Sequence, residues 1–175
     1  MFRGSYSVTI TPTSEDGKIN TKSLEKYLNW QIKKKIGGLI ILGSTGEFLS
    51  ISDQNRLKMI KESVSIIDNR VPLFVGTAAE NTYDAIKYSV EAQNQNADGV
   101  MIIPPFYSTP TSEELVNHFK LISKEIDIPI MVYNNPATSN IDITPEIFAE
   151  LSKIKNVKYC KESTMDVTRV KEIDK

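Results

Sequence analysis

Apolar positions along the chain follow two alternating periods. Short runs rich in Val, Ile, Leu and Tyr are followed by longer stretches in which apolar residues recur every three or four positions. The first pattern is that of a buried strand, the second that of a helix with one apolar stripe. Strands are predicted over 5–11, 38–42, 71–76, 99–103, 128–133 and 157–161. Helices are predicted over 22–35, 51–67, 82–95, 112–125 and 144–153, with a further one starting at Asp166. The first helix carries Leu24, Tyr27, Leu28 and Ile32 on one face. The second carries Leu57, Ile60, Val64 and Ile67, and the third Ala85, Ile86, Val90 and Ala92.

Several boundaries have a local chemical reason. Ser52 is a predicted N-cap, and Thr144 caps a helix that opens on Pro145. The acidic pair Glu113 and Glu114 suits the positive end of the helix dipole. Gly37-Gly38 is predicted to end the first helix, because glycine takes the left-handed conformation cheaply. Six strand-helix units in a row imply α/β architecture, a parallel sheet with both faces covered by helices. Two architectures fit: an open doubly wound sheet and a (β/α)8 barrel. No G-x-G-x-x-G follows the first strand and no phosphate loop occurs, so a nucleotide-binding open sheet has little support. A barrel needs eight units and about 250 residues, two units more than this chain offers.

Composition narrows the class. The chain is 40% hydrophobic and 25% charged, as ordinary globular domains are. Twenty-one Lys and Arg against 22 Asp and Glu leave a net charge of -1, which provides no basic footprint for nucleic acid. One cysteine, Cys160, and one histidine, His118, exclude an internal disulfide and a cysteine or multi-histidine metal site. Residues 1–12 do not read as a signal peptide, and the apolar run 39–42 is too short for a membrane. A soluble, cytoplasmic protein without nucleic-acid or membrane partners is expected. His118 is expected on an outer helix surface, Trp30 in packing, and Cys160 as a small hydrophobe buried beneath the helices. Residues 33–35 read as a solvated face, and Glu47 as the start of the following helix.

Candidate chemistry lies in the segments that follow the strands, where such folds place function. Gly43-Ser44-Thr45-Gly46-Glu47 sets two hydroxyl residues between glycines, so that backbone N–H groups can converge on a small carboxylate. On spacing alone it is equally a plain turn. Tyr133 ends the fifth strand, where its phenol either enters a site or fills the core. Alternation along 157–161 puts Val157, Tyr159 and Lys161 on one face and Lys158 and Cys160 on the other. A lysine facing a barrel interior is partly desolvated, which favours a neutral amine that attacks ketones. The alternative is a surface lysine paired with Glu162.

Taken together, GSTGE at 43–47, PPFY at 104–107, YNNP at 133–136 and KES at 161–163 resemble one family. The chain is similar to the pyruvate-dependent class I aldolases, which include dihydrodipicolinate synthase and N-acetylneuraminate lyase. The resemblance runs from Phe2 to beyond Glu162. It implies a (β/α)8 barrel, of which residues 1–175 form a single incomplete domain lacking units seven and eight and a C-terminal helical region. It implies Lys161 as the Schiff-base lysine, Tyr133 as a proton relay, and Ser44 and Thr45 as holders of the pyruvate carboxylate. It implies that Tyr107 joins the relay across a dimer interface, with Ser44 between the two tyrosines. No metal and no organic cofactor is implied. The substrates implied are pyruvate and an aldehyde, or a 2-keto acid, handled by a homodimer or homotetramer. Synthases of the family usually carry an Arg where Thr138 stands and a Gly where Asn140 stands. Thr138 cannot offer a carboxylate a bidentate fork. The resemblance therefore admits a dihydrodipicolinate synthase and, on account of Thr138, an N-acetylneuraminate or 2-keto-3-deoxy sugar-acid aldolase or dehydratase. A catalytically inert fragment, or an assembly partner, is the reading of another class.

Overall fold

The computed structural model describes residues 2–174. Among them the strands are β1 (Tyr6–Val8), β2 (Gly38–Ile41), β3 (Leu73–Gly76), β4 (Gly99–Ile102), β5 (Ile130–Asn134) and β6 (Val157–Glu162). The helices are α1 (Thr21–Lys33), α2 (Asp53–Ile67), α3 (Thr82–Asn94), α4 (Ser112–Glu125), α5 (Pro136–Ser139), α6 (Pro145–Ser152) and α7 (Thr168–Ile173). Two single 3₁₀ turns, Ser44–Gly46 and Phe48–Ser50, lie between β2 and α2. No helix among the described residues is long and apolar enough to cross a membrane.

The chain divides into two compact units. One runs through Gly76 and takes in Glu91–Gly99; the other holds Thr77–Val90 and the chain from Val100 onward. In the first, β1, β2 and β3 pair in parallel in chain order, and α1 packs on α2. Every residue of β2 and β3 is buried, as a sheet covered on both faces requires. Phe74 is fully buried, with the Phe2 and Tyr6 rings edge-on to it at 5.3 and 6.1 Å. A Cβ at Gly38 would stand 2.1 Å from the Tyr6 ring, and one at Gly99 2.3 Å from the Phe74 ring, so only glycine fits these strand entries. In the second unit, β4, β5 and β6 pair in parallel in chain order. There α4 packs on α6, and α6 on α7, around Leu115, Phe119, Ile122, Ile130, Val132 and Leu151.

Three local expectations change. Helix α1 ends not at the glycine pair but at Lys34, followed by Lys35 in the left-handed region at φ 61°. Gly37 serves close approach instead: a Cβ there would lie 2.7 Å from the Arg3 carbonyl oxygen. The buried face of α2 is Arg56, Met59, Ile60, Ser63 and Ile67, turned away from the expected Leu57 and Val64. Strands β3 and β5 begin two residues later than expected, beyond Pro72 and Pro129. A proline has no N–H for the ladder, and here each only accepts, from the Leu39 and Val100 amides respectively.

Four single residues also differ from expectation. His118 is buried at 5% exposure rather than on an outer surface, with Nδ1 2.9 Å from the Thr82 hydroxyl. Trp30 is 55% exposed, with its ring stacked on Tyr27 at 6.2 Å and 17°. Cys160 is exposed rather than buried, because its face of β6 is incompletely covered. Glu47 does not open a helix; it is the left-handed residue between the two 3₁₀ turns.

Candidate active site

The loop after β2 is fixed by backbone geometry. Leu42 and Glu47 both take left-handed φ values of 55°, a strain that a branched residue such as Leu42 rarely bears. Thr11 donates its hydroxyl to the Gly46 carbonyl at 2.7 Å. The buried Arg56 guanidinium donates to the Phe48 and Gly76 carbonyls, each at 3.2 Å. Gly76 in turn lies against Leu42, whose carbonyl oxygen would be 2.0 Å from a Cβ at that place. Within the turn, Gly46 N–H and Glu47 N–H donate to the Gly43 and Ser44 carbonyls. The amides of Ser44 and Thr45 stand at the turn's N-terminal end, where helical geometry provides no internal acceptor. Both residues are exposed.

In the second unit, the register of β5 and β6 sets Tyr133 beside Lys161 and Asn134 beside Glu162. Tyr133 is 6% exposed, and Lys161 Nζ lies 3.6 Å from the centre of its ring. An ammonium over an aromatic face is attracted by the ring's quadrupole. The Tyr133 hydroxyl oxygen accepts a hydrogen bond from Asn135 Nδ2 at 2.9 Å. Glu162 is not the partner of Lys161. Its carboxylate accepts from Asn134 Nδ2 at 2.9 Å and from the Thr164 amide at 2.6 Å.

Behind this pair lies a polar cluster. Asn134 is fully buried; it also donates to Asp142 at 3.0 Å and accepts the Ile143 amide at 3.0 Å. Asp142 receives a bidentate grip from Arg169 of α7, at 2.8 and 2.9 Å. The Arg169 guanidinium holds the Asp142 carboxyl below its ordinary range. The end of β6 that carries Lys161 is thereby tied to β5 and α7.

The remaining candidates lie elsewhere in the same unit. Tyr107 is 90% exposed, and its backbone N–H donates to Glu80 Oε1 at 2.8 Å. Thr138 is exposed on α5, and its hydroxyl donates to the Asn135 carbonyl at 3.2 Å. Asn140 takes the left-handed conformation at φ 57°, which asparagine tolerates better than most residues. Tyr133 and Lys161 are thus adjacent, whereas Tyr107 and Thr138 are both exposed. Glu80, Asn134, Asn135 and the Asp142–Arg169 pair are not apparent from periodicity. Two asparagines in YNNP were the only available signal. Among the described residues, no three His, Cys, Asp or Glu side chains gather as metal ligands would.

Comparison with known proteins gives one consistent answer. The model of the dihydrodipicolinate synthetase family matches residues 1–175. A 4-hydroxy-tetrahydrodipicolinate synthase of Persephonella marina is 39% identical over 174 residues, covering 99% of this chain and 59% of that protein. The enzyme of the same name from Coxiella burnetii is 35% identical, covering 99% and 60%. Among solved structures, the 4-hydroxy-tetrahydrodipicolinate synthase of Methylacidiphilum fumariolicum SolV superposes with a TM-score of 0.96 at 31% identity, over 99% of this chain and 58% of that one. The chloride-inhibited dihydrodipicolinate synthase of Acinetobacter baumannii, complexed with pyruvate, gives 0.96 at 32% identity over 99% and 60%. The fold is that of the (β/α)-barrel enzymes. The chain spans about three fifths of the length of the curated relatives it matches.

Proposed function

Because the chain belongs to the dihydrodipicolinate synthetase family, we propose that the whole protein is a lyase that binds pyruvate to Lys161 as a Schiff base. The observation that carries this reading is the Lys161 amine 3.6 Å above the buried Tyr133 ring. The amine attacks the keto carbon, water leaves, and a protonated imine results. That imine draws electrons from the neighbouring methyl group, which loses a proton to give an enamine. The enamine carbon then attacks an aldehyde carbonyl, or the same steps run backwards to cleave a 2-keto acid. Tyr133, Ser44 and Tyr107 move the protons, and Ser44 and Thr45 take the pyruvate carboxylate through backbone and hydroxyl donors. The chemistry asks for neither metal nor organic cofactor.

The names of the curated relatives support a 4-hydroxy-tetrahydrodipicolinate synthase reaction for the whole protein. Thr138 favours a second reading, a sugar-acid aldolase or dehydratase, since its hydroxyl is engaged with Asn135 and forms no fork for a substrate carboxylate. Assembly as a homodimer or homotetramer, with the exposed Tyr107 reaching a neighbouring subunit, belongs to the same proposal. So does a cytoplasmic setting, which the single free thiol suits.

Borohydride reduction in the presence of pyruvate, followed by peptide mapping, tests the mechanism. A reduced pyruvyl adduct is expected on Lys161 and is expected to vanish in Lys161→Ala. An adduct that survives that substitution overturns the assignment. An adduct formed only by a protein extended through two further units places the activity in the longer chain. Turnover of aspartate semialdehyde against that of 2-keto-3-deoxy sugar acids then separates the two readings.

A further inference from the structure

Asn135 stands immediately before the short helix α5, in the place where asparagine is among the preferred capping residues. Its side chain nevertheless makes no capping bond. The helix is held through the Asn135 backbone instead, whose carbonyl accepts the Thr138 and Ser139 amides, both at 3.0 Å. The carboxamide turns away from the helix and donates to the Tyr133 hydroxyl oxygen at 2.9 Å. A phenol has one proton to give and two lone pairs to accept with. The amide occupies one lone pair, so the O–H must point elsewhere. With Lys161 over the ring and Asn135 on the oxygen, the buried Tyr133 is fixed at both its face and its tip.

We infer that Asn135 is a positioning residue for proton transfer: its N–H holds the Tyr133 oxygen so that the O–H is directed at the substrate atoms carried by Lys161. The inference rests on the Schiff-base reading. In the step concerned, a methyl C–H bond of the pyruvate imine breaks and its electron pair forms the enamine C=C bond. The C=N pair moves to nitrogen. The second lone pair of Tyr133 accepts the methyl proton as its own O–H proton passes to the substrate carboxylate, which releases it to solvent. A fixed donor on the oxygen stabilises the charge that gathers there during the transfer without rearrangement.

The test is exchange of the pyruvate methyl protons in D2O, followed by proton NMR, with the whole protein extended through the two further units. Asn135→Val removes the donor, and exchange is expected to slow by about ten- to a hundredfold. Asn135→Asp keeps the shape but offers only acceptors, which capture the Tyr133 O–H; it is expected to be slower than Asn135→Val. In both variants borohydride trapping at saturating pyruvate stays complete, and the pyruvate concentration for half-maximal exchange moves by less than about threefold. A merely structural role would lower trapping and leave the two variants alike. Exchange by Asn135→Val or Asn135→Asp within about twofold of wild type, with Tyr133→Phe inactive, overturns the inference and leaves the Schiff-base reading intact. Absence of exchange in the wild type, or full exchange in Tyr133→Phe, overturns the underlying reading and the inference with it.

Discussion

His118 lies against Phe119, its ring edge-on at 5.5 Å, with Nδ1 on the Thr82 hydroxyl and no partner for Nε2. Burial pushes the imidazole down from 6.5 to about 4. An unfolded chain takes up a proton on this residue below pH 6.5 that the folded chain refuses until about pH 4. The stability it contributes is therefore complete above pH 6.5 and is lost as the pH falls through that window, at up to about 1.4 kcal/mol per pH unit. Denaturant unfolding between pH 7 and 4.5 is expected to show this loss, and His118→Gln, which keeps a polar partner for Thr82, is expected to flatten it. An unchanged pH slope in His118→Gln would refute the account. The sequence offered no sign of this burial, because His118 falls between apolar positions of α4 and its partner is 36 residues away. Tyr133 and Lys161 were singled out by the family resemblance, since strand alternation alone left one open to a core role and the other to a surface pair with Glu162. Asn135 was not, because its residue type suits a helix start and only three-dimensional contact shows that the side chain leaves it.

The loop that carries Tyr107 is held by other loops. Glu80, between β3 and α3, accepts the Phe106 and Tyr107 amides at 2.7 and 2.8 Å on one oxygen, and the Ser108 amide and hydroxyl at 3.4 Å on the other. Asn140, after α5, donates to the Phe106 carbonyl at 3.4 Å. Helix α4 is independent of this clamp, because Thr111 and Glu114 form its own reciprocal capping box. Hydrogen bonds to a charged group contribute about 1.5–3 kcal/mol each. In Glu80→Ala, amide exchange at Phe106, Tyr107 and Ser108 is expected to speed up by about tenfold or more while that of α4 stays put. Equal protection in both proteins would show that the carboxylate is dispensable. Helices with local caps were the most readable elements: α4 coincides with its predicted span and Ser52 caps α2 as expected, while Thr144 holds the N-cap position of α6 without a side-chain capping bond. The buried face of α2 was misjudged because Arg56 turns inward to serve the Phe48 and Gly76 carbonyls, a need set by a loop and a strand rather than by the helix.

At the scale of the molecule, charge is nearly balanced. A net charge of -1 and a calculated isoelectric point near 5.9 leave little mutual repulsion between molecules. Ile10, Leu49, Met165 and Val167 are exposed besides. Solubility is expected to pass through a minimum near pH 5.9 and to improve toward pH 8.5, as light scattering at fixed concentration would show. A solubility that is flat across that range would mean that exposed apolar area outweighs charge. The βα order was readable along the whole chain because parallel strands buried on both faces leave long apolar runs, and helices leave stripes. Their exact edges were not, because Pro72 and Pro129 are extended and apolar yet cannot donate to a ladder.

Cys160 is the one thiol in the chain, and it is exposed on the face of β6 opposite Lys161. A maleimide-linked fluorophore or nitroxide would thus attach at a single defined place with no engineering of the sequence. It would ride on the strand that bears the candidate nucleophile while staying on the other side of the sheet. Although its surface is open, partial desolvation of the sulfur against the neighbouring chain, and then the Glu162 carboxylate, push the thiol's pKa up, so coupling runs faster as the buffer is made more alkaline. The protein carries its own reporter position, one residue from the amine whose state it would register.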